Sequence, residues 1–359
     1  LAKQRKKSPV KKSETGGNFS FLFQDIKVIG VLVTIFITFL VYHIIFKGNI
    51  SIQSEKFYIY IPPKSTATDL ADLLREKNII HNSLSLKVYS NLATLNPSEG
   101  GLYFLEKGWN NYQIIDNLNN QVGIPGKEIR IPSLRHRSSL LKIISNTLDL
   151  DKNKFRTFLK DSALLSELSF TKESIYCIFI PGTYFVPQNS NEEQVIRIMH
   201  EEFLNFWNDD RREKAQDAKL DPVQATILAS IVYAETKNYE EMPVIAGVYI
   251  NRLKNKMRLE SDPTLVYASG DFAAKRVYKN KKMLYPAYNT YSKKGLPPGP
   301  IYFPPVKVIE AVLNYEEHDY IYFCAKDDST GCHNFANSFE EHKENANRYR
   351  EFLNSKKIF

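Results

Sequence analysis

The sequence predicts an α+β protein: an N-terminal single transmembrane helix, then a small βααβ unit, then a larger mixed α+β domain. Three observations predict it. Val28 to Phe46 is apolar except for Thr34, Thr38 and His43. Between Phe57 and Leu105 two β-type runs bracket two amphipathic stretches. Beyond that, helical periodicity dominates, interrupted by short runs rich in β-branched and aromatic residues.

The 359 residues suggest two or three domains, and 43% hydrophobic content with 13% aromatics supplies real cores. The net charge of +8 is concentrated in a tail holding Lys3, Arg5, Lys6, Lys7, Lys11 and Lys12. That distribution argues against nucleic acid as a partner and for a topology signal or an anionic-lipid contact. The run from Val28 to Phe46, about nineteen residues at a rise of about 1.5 Å, nearly matches a hydrocarbon core of roughly 30 Å. A globular core helix would rarely stay apolar on every face. A signal peptide usually has a shorter apolar region, and no small-x-small cleavage site follows Phe46. A retained single-pass anchor is expected, with the basic tail in the cytoplasm and the bulk of the chain outside. The chain opens on Leu1 rather than Met, so foreign or missing starting residues are expected. The expected division is 1–27 basic tail, 28–46 spanning helix, 47–125 linker and small unit, 126–220 mainly helical connecting part, and 221–359 C-terminal domain.

The elements follow in order. Phe57-Tyr58-Ile59-Tyr60-Ile61 reads as a strand stopped by Pro62-Pro63. Thr66 or Thr68 caps a helix carrying Leu70, Leu73 and Leu74, and Ser83 caps a second with Leu84, Val88 and Leu92. Leu102 to Leu105 closes the unit as a strand. Leu102–Leu118 and Glu128–Leu148 each repeat strand, turn and amphipathic helix. Asp151 to Asp217 is mainly helical, broken at Ile178–Tyr184. Asp221-Pro222 starts a helix that runs to Glu235-Thr236, and Pro243 to Lys254 forms the next. Ser261-Asp262-Pro263-Thr264 reads as another helix start, followed by a Pro/Gly/Tyr-rich loop from Tyr285 to Pro305. Ile309–Leu313 predicts a helix, Tyr320–Phe323 a strand, and Ser338–Leu353 a charged terminal helix.

Three cysteines exclude a disulfide framework. Cys324 and Cys332 could pair across a hairpin, and buried free thiols are at least as good a reading. No Cys/His spacing resembles a zinc site and no Gly-rich loop a phosphate cradle, so neither metal nor cofactor is expected. Glu235 stands out. At about 100° per residue it projects within about 20–40° of Gln224, Leu228 and Ile231, on or beside the apolar face of its helix. A carboxyl there is either ion-paired or partly neutralised by desolvation, and a carboxyl kept protonated near neutral pH serves as a general acid. The Tyr288-Asn289-Thr290-Tyr291 segment, with Gly295-Leu-Pro-Pro-Gly-Pro-Ile301, combines aromatic faces and amides in the manner of a carbohydrate site. Composition alone fits an ordinary proline-rich surface loop equally well.

Taken together, five ordered motifs are more specific than any one of them. Ala229-Ser-Ile-Val-Tyr-Ala-Glu235-Thr236, Ile245-Ala-Gly-Val-Tyr-Ile-Asn251-Arg-Leu253 and Met257-Arg-Leu-Glu-Ser-Asp262-Pro-Thr264 are followed by the Tyr288–Ile301 loop and by His333-Asn-Phe335 before His342. This order resembles the endolytic murein transglycosylase family (MltG/YceG-like), and Phe57–Leu105 looks like that family's LysM-like domain. The resemblance implies a lytic transglycosylase of the cell inner membrane, cleaving the bond between N-acetylmuramic acid and N-acetylglucosamine within nascent peptidoglycan strands and leaving a 1,6-anhydro end. By matched position Glu235 aligns with the catalytic acid. Asn251, Asp262, Thr264, Tyr288, Asn289 and Tyr291 align with positions expected around the glycan cleft. The implied partners are peptidoglycan strands, the membrane and, as candidates, cell-wall synthesis proteins. Two departures stand out: Tyr233 replaces a second Glu found in many members, and Gly182 replaces the Asp of a Phe-Pro-Asp-Thr-Tyr motif. Two rivals remain: a hydrolase that uses water with Asp262 as second carboxylate, and a non-catalytic peptidoglycan-binding scaffold. Glycan binding and simple spacing are equally open roles for the LysM-like unit.

Overall fold

The computed structural model describes residues 18–95, 100–272, 283–328 and 330–356. Among these it is a mixed α+β fold of 14 α-helices and three two-stranded antiparallel sheets. The first helix, Asn18–Ile45, contains a stretch from Lys27 to Ile45 that is long and apolar enough to cross a membrane, with none of it buried in the protein.

The small unit forms as its pattern requires. Strand Lys56–Ile61 pairs antiparallel with Gly101–Glu106, from Lys56 opposite Glu106 to Ile61 opposite Gly101. The period of two turns Phe57, Ile59 and Ile61 into the core. Thr66 caps helix Ala67–Glu76 in a reciprocal capping box with Asp69, so two N-terminal N–H groups find partners. The second helix, Ser83–Leu92, differs from expectation twice. Its cap is Asn82, whose side chain accepts from Ser85 N. Its buried anchor is Leu86, whereas Leu84, Val88 and Leu92 stand 69%, 39% and 74% exposed. Two apolar stripes compete on this short helix, and the one that meets Leu70 and Leu74 of its neighbour wins burial. Helix Asn111–Asn120 completes the same core through Ile114, Ile115 and Leu118.

A second, larger core runs from Ile129 to Leu313. Strand Gly126–Ile131 pairs with Gly182–Pro187, and helices Arg137–Leu148, Lys152–Phe158, Ser162–Glu167 and Glu192–Phe206 pack around Phe155, Phe179 and Trp207. Gly182 lies in regular extended backbone at the start of its strand. The small unit docks on this part: Tyr60 stacks on Phe185 with ring centroids 4.2 Å apart, and Gln53 N donates to Asn205 Oδ1 at 2.8 Å. Helix Pro222–Glu235 runs through the middle of the larger core, with every residue from Ala225 to Val232 buried. Asp221 and Gln224 form its capping box, an arrangement worth about 1 kcal/mol. Helices Met242–Lys254 and Val306–Leu313 flank it. Gly247 is obligatory there, because a Cβ would come within 2.4 Å of the Glu316 carbonyl oxygen. A hairpin of Tyr322–Ala325 and His333–Ala336 and the terminal helix Phe339–Ser355 close the fold. The hairpin register sets Cys324 opposite Asn334, and all three cysteines are free.

Candidate active site

The central helix ends on Glu235. At Thr236 the backbone turns extended, and the buried Thr236 hydroxyl accepts from Asn238 N at 3.0 Å, which holds the exit. This places the Glu235 carboxyl at the edge of the core, where two other elements reach it. Tyr249, buried on helix Met242–Lys254, donates from its hydroxyl to Glu235 Oε1 at 2.5 Å. Ser261 donates its hydroxyl to the same oxygen at 2.5 Å. Ser261 sits at the N-cap of helix Asp262–Ser269, yet its hydroxyl makes no cap hydrogen bond. A group that ordinarily stabilises a helix start is spent on the carboxyl instead. Both donors meet Oε1, so among the described residues Oε2 has no protein donor.

Electrostatics follow from this placement. Burial raises the Glu235 pKa above its ordinary value and outweighs the downward pull of the Ser261 and Tyr249 hydrogen bonds; the nearby Asp262 charge adds to the rise. Asp262 Oδ1 accepts from the Tyr291 hydroxyl at 2.7 Å. On the far side, Glu241 clamps His333, accepting from its backbone N at 2.7 Å and lying 3.0 Å from Nδ1, with both side chains nearly buried. Arg252 is tied down by carbonyls, donating to Ile321 O at 2.6 Å and Leu259 O at 2.8 Å. Of these groups, Glu235, Tyr249, Arg252, Asp262, Tyr291 and His333 border a cavity of about 380 Å³. Its other wall is aromatic: Tyr291, Tyr322, Phe323, Phe339 and His342, with Tyr322 and His342 stacked and Phe339 59% exposed. An acid at one end and ring faces along the wall suit an apolar sugar face presented to a proton donor. Among the described residues no group of three His, Cys, Asp or Glu side chains is placed to hold a metal ion.

Of the residues singled out by sequence, Glu235, Asp262 and Tyr291 come together on this cavity. The others do not line it. Thr264 is fully buried, donates to Ser261 O at 2.6 Å and meets the Thr290 hydroxyl at 2.7 Å. Asn289 Oδ1 accepts from Tyr291 N at 3.0 Å and so shapes the turn that carries Tyr291. Tyr288 points inward, 3% exposed, accepting from Arg137 Nη2 at 2.7 Å. Asn251 donates to His318 O at 2.6 Å and Tyr320 O at 3.1 Å, which fixes the approach to the hairpin. The proline-rich loop is pressed against the connecting part, where a Cβ at Gly299 would meet Glu173 O at 2.2 Å. The aromatic wall therefore comes mainly from the hairpin and terminal helix rather than from this loop. Sequence reasoning missed Tyr249, Ser261 and the Glu241–His333 pair as site groups. The signals were present: Tyr249 and Ser261 fall inside the motifs around Asn251 and Asp262, and His333 heads its own.

The chain was compared with known proteins. It is 26% identical over 313 residues to the endolytic murein transglycosylase of Bacillus subtilis, covering 83% of this chain and 86% of that one. It is 24% identical over 350 residues to the protein of the same name from Streptococcus pneumoniae serotype 2, covering 86% of this chain and 60% of that one. A crystal structure of a yceG-like protein from Listeria monocytogenes superposes with a TM-score of 0.50 at 25% identity, covering 81% of this chain and 98% of that one. Residues 59–348, which include the whole of the larger core and every group bordering the cavity, match the YceG-like family, and the chain belongs to it.

Proposed function

We propose that this chain is a membrane-anchored endolytic lytic transglycosylase acting on nascent peptidoglycan strands, with Glu235 as acid and then base. The observation that carries the reading is the Glu235 carboxyl itself: half-buried, raised in pKa, held through one oxygen and open at the other, at the end of an aromatic-walled cavity. The relatives' names supply the substrate and reaction class.

In this mechanism protonated Glu235 gives its proton to the glycosidic oxygen as the bond from muramic C1 breaks. Positive charge develops at C1, and the Asp262 carboxylate, ordered by Tyr291, stabilises it electrostatically. The Glu235 carboxylate then takes the proton from the muramic C6 hydroxyl as that oxygen bonds to C1, which closes the 1,6-anhydro ring and restores the acid. The nucleophile belongs to the substrate, so water is not consumed and its effective concentration is high. Helix Asn18–Ile45 is the anchor in this reading, with the basic tail cytoplasmic and everything beyond Lys47 outside.

Digestion of purified sacculi in heavy-oxygen water tests the reaction. New muramic ends should carry the anhydro ring and no solvent oxygen by mass spectrometry. Labelled reducing ends as the main product would overturn the reading in favour of a hydrolase with Asp262 activating water. Binding of strands without cleavage would favour a scaffold.

A further inference from the structure

A second cavity, of about 580 Å³, lies where the apolar helix meets the small unit. Its walls carry Lys47, His43 and His81 and no carboxylate, with Ser85 beside them and Leu40 and Ile44 on the side of the apolar helix. Among the described residues, none of these three basic side chains is in a salt bridge. The junction is locked. Asn111 Nδ2 donates to Ile44 O at 2.6 Å, satisfying a terminal carbonyl of the helix, and Asn49 Nδ2 donates to Asn111 Oδ1 at 2.7 Å. Asn49 also accepts from Asn82 N at 2.8 Å, so the loop carrying His81 is tied to the same point.

The height of this cavity in a bilayer is then determined by length. Lys27 to Ile45 is 19 residues, about 28 Å of helix against a hydrocarbon core of roughly 30 Å, which leaves little room to slide. Lys47 therefore sits in the outer headgroup layer, while Leu40 lies about one turn inside the acyl region. A recess that is cationic at phosphate depth and apolar just below has the two-part chemistry of an anionic lipid. Leu84, Val88 and Leu92 are exposed on the helix that supplies Ser85.

We propose that this recess is a binding site for one anionic glycerophospholipid, its phosphate on Lys47 and His81 and an acyl chain along Leu40 and Ile44. The proposal rests on the anchor reading above. The test uses the full chain in nanodiscs of phosphatidylcholine alone or with phosphatidylglycerol, followed by native mass spectrometry of lipid retained after release. Phosphatidylglycerol should be retained about fivefold over its share of the bilayer, lost in a Lys47→Gln/His81→Gln variant and kept in Lys47→Arg. Retention should persist in millimolar inorganic phosphate, because the acyl contact is not available to the free ion. Insertion without lipid preference, a preference untouched by the double variant, or displacement by free phosphate would each overturn the site and leave the anchor standing. Failure to enter neutral nanodiscs at all would overturn the anchor and the site together.

Discussion

Glu235 concentrates the residue-scale chemistry, and its surroundings make opposed predictions. Glu235→Gln keeps an Oε1 able to accept from Tyr249 and Ser261 but has no proton to transfer, so turnover of sacculi should fall by about a thousandfold or more. Its stability should not fall. A folded-state pKa raised above the unfolded value means the wild-type carboxyl favours the fold only while protonated. That contribution is complete below the unfolded pKa and is lost as pH rises through the folded one. The Gln variant should therefore melt no lower than wild type at pH 8, with its relative advantage shrinking on acidification. Thermal melts across pH check this, and a large drop at every pH would make Glu235 a structural residue. The neighbours tune the same proton in opposite directions. Asp262→Asn removes a charge that raises the Glu235 pKa, and Tyr249→Phe removes a hydrogen bond that lowers it. The alkaline limb of the pH–rate profile should move to lower pH in the first and to higher pH in the second. Movement in the same direction would show that another group sets that limb.

At the scale of elements, the cavity depends on two helix ends meeting the body of a third helix: the C-terminus of Pro222–Glu235, the N-terminus of Asp262–Ser269 and the middle of Met242–Lys254. Arg137 braces this arrangement from the connecting part. Its guanidinium lies 4.0 Å from the Tyr176 ring centroid and donates to Tyr288, whose loop leads directly to Tyr291. Helix Glu192–Phe206 carries a pH-sensitive pair where it packs against strand Lys56–Ile61. Burial pushes Glu201 and Glu202 each up to about 7. Both favour the fold while protonated, a contribution present below the ordinary carboxylate range and lost as pH rises towards 7. Glu202→Gln should therefore raise the melting temperature at pH 8 and leave it nearly unchanged at pH 4.5. A lower melting temperature at pH 8 would show that the ionised carboxylate has a stabilising partner.

For the molecule as a whole, the anchor reading predicts topology. Single cysteines introduced at Ser51 and Ser355, in a background whose native cysteines are replaced, should react with an impermeant thiol reagent on intact cells or spheroplasts. Protection of either until the membrane is permeabilised would reverse the orientation. The lock between Asn111 and Ile44 O adds a mechanical consequence, since it holds the small unit close against the end of the apolar helix. Asn111→Ala should lower the melting temperature, removing a buried group that bonds Asn49, Ser85 and the helix end at once. The larger core, by contrast, should feel it little, because it is built from other residues.

Sequence alone determined what depends on periodicity and local chemistry. The apolar helix, the strand–helix–helix–strand order, the helix start at Asp221-Pro222 and the helix ending at Glu235 are all properties of a few consecutive side chains and their backbone. The family too was legible, because its motifs keep their order along the chain. Only the tertiary structure decided which side chains face each other. Leu84, Val88 and Leu92 look as buriable as Leu86 until neighbouring helices select one stripe. Tyr288 and Tyr291 are three residues apart in one loop, yet one braces Arg137 inside while the other borders the cavity. Ser261 reads as a helix cap, and its hydroxyl is claimed instead by a carboxyl 26 positions earlier. Long-range contacts of this kind depend on how separate elements pack, and no local spacing specifies that.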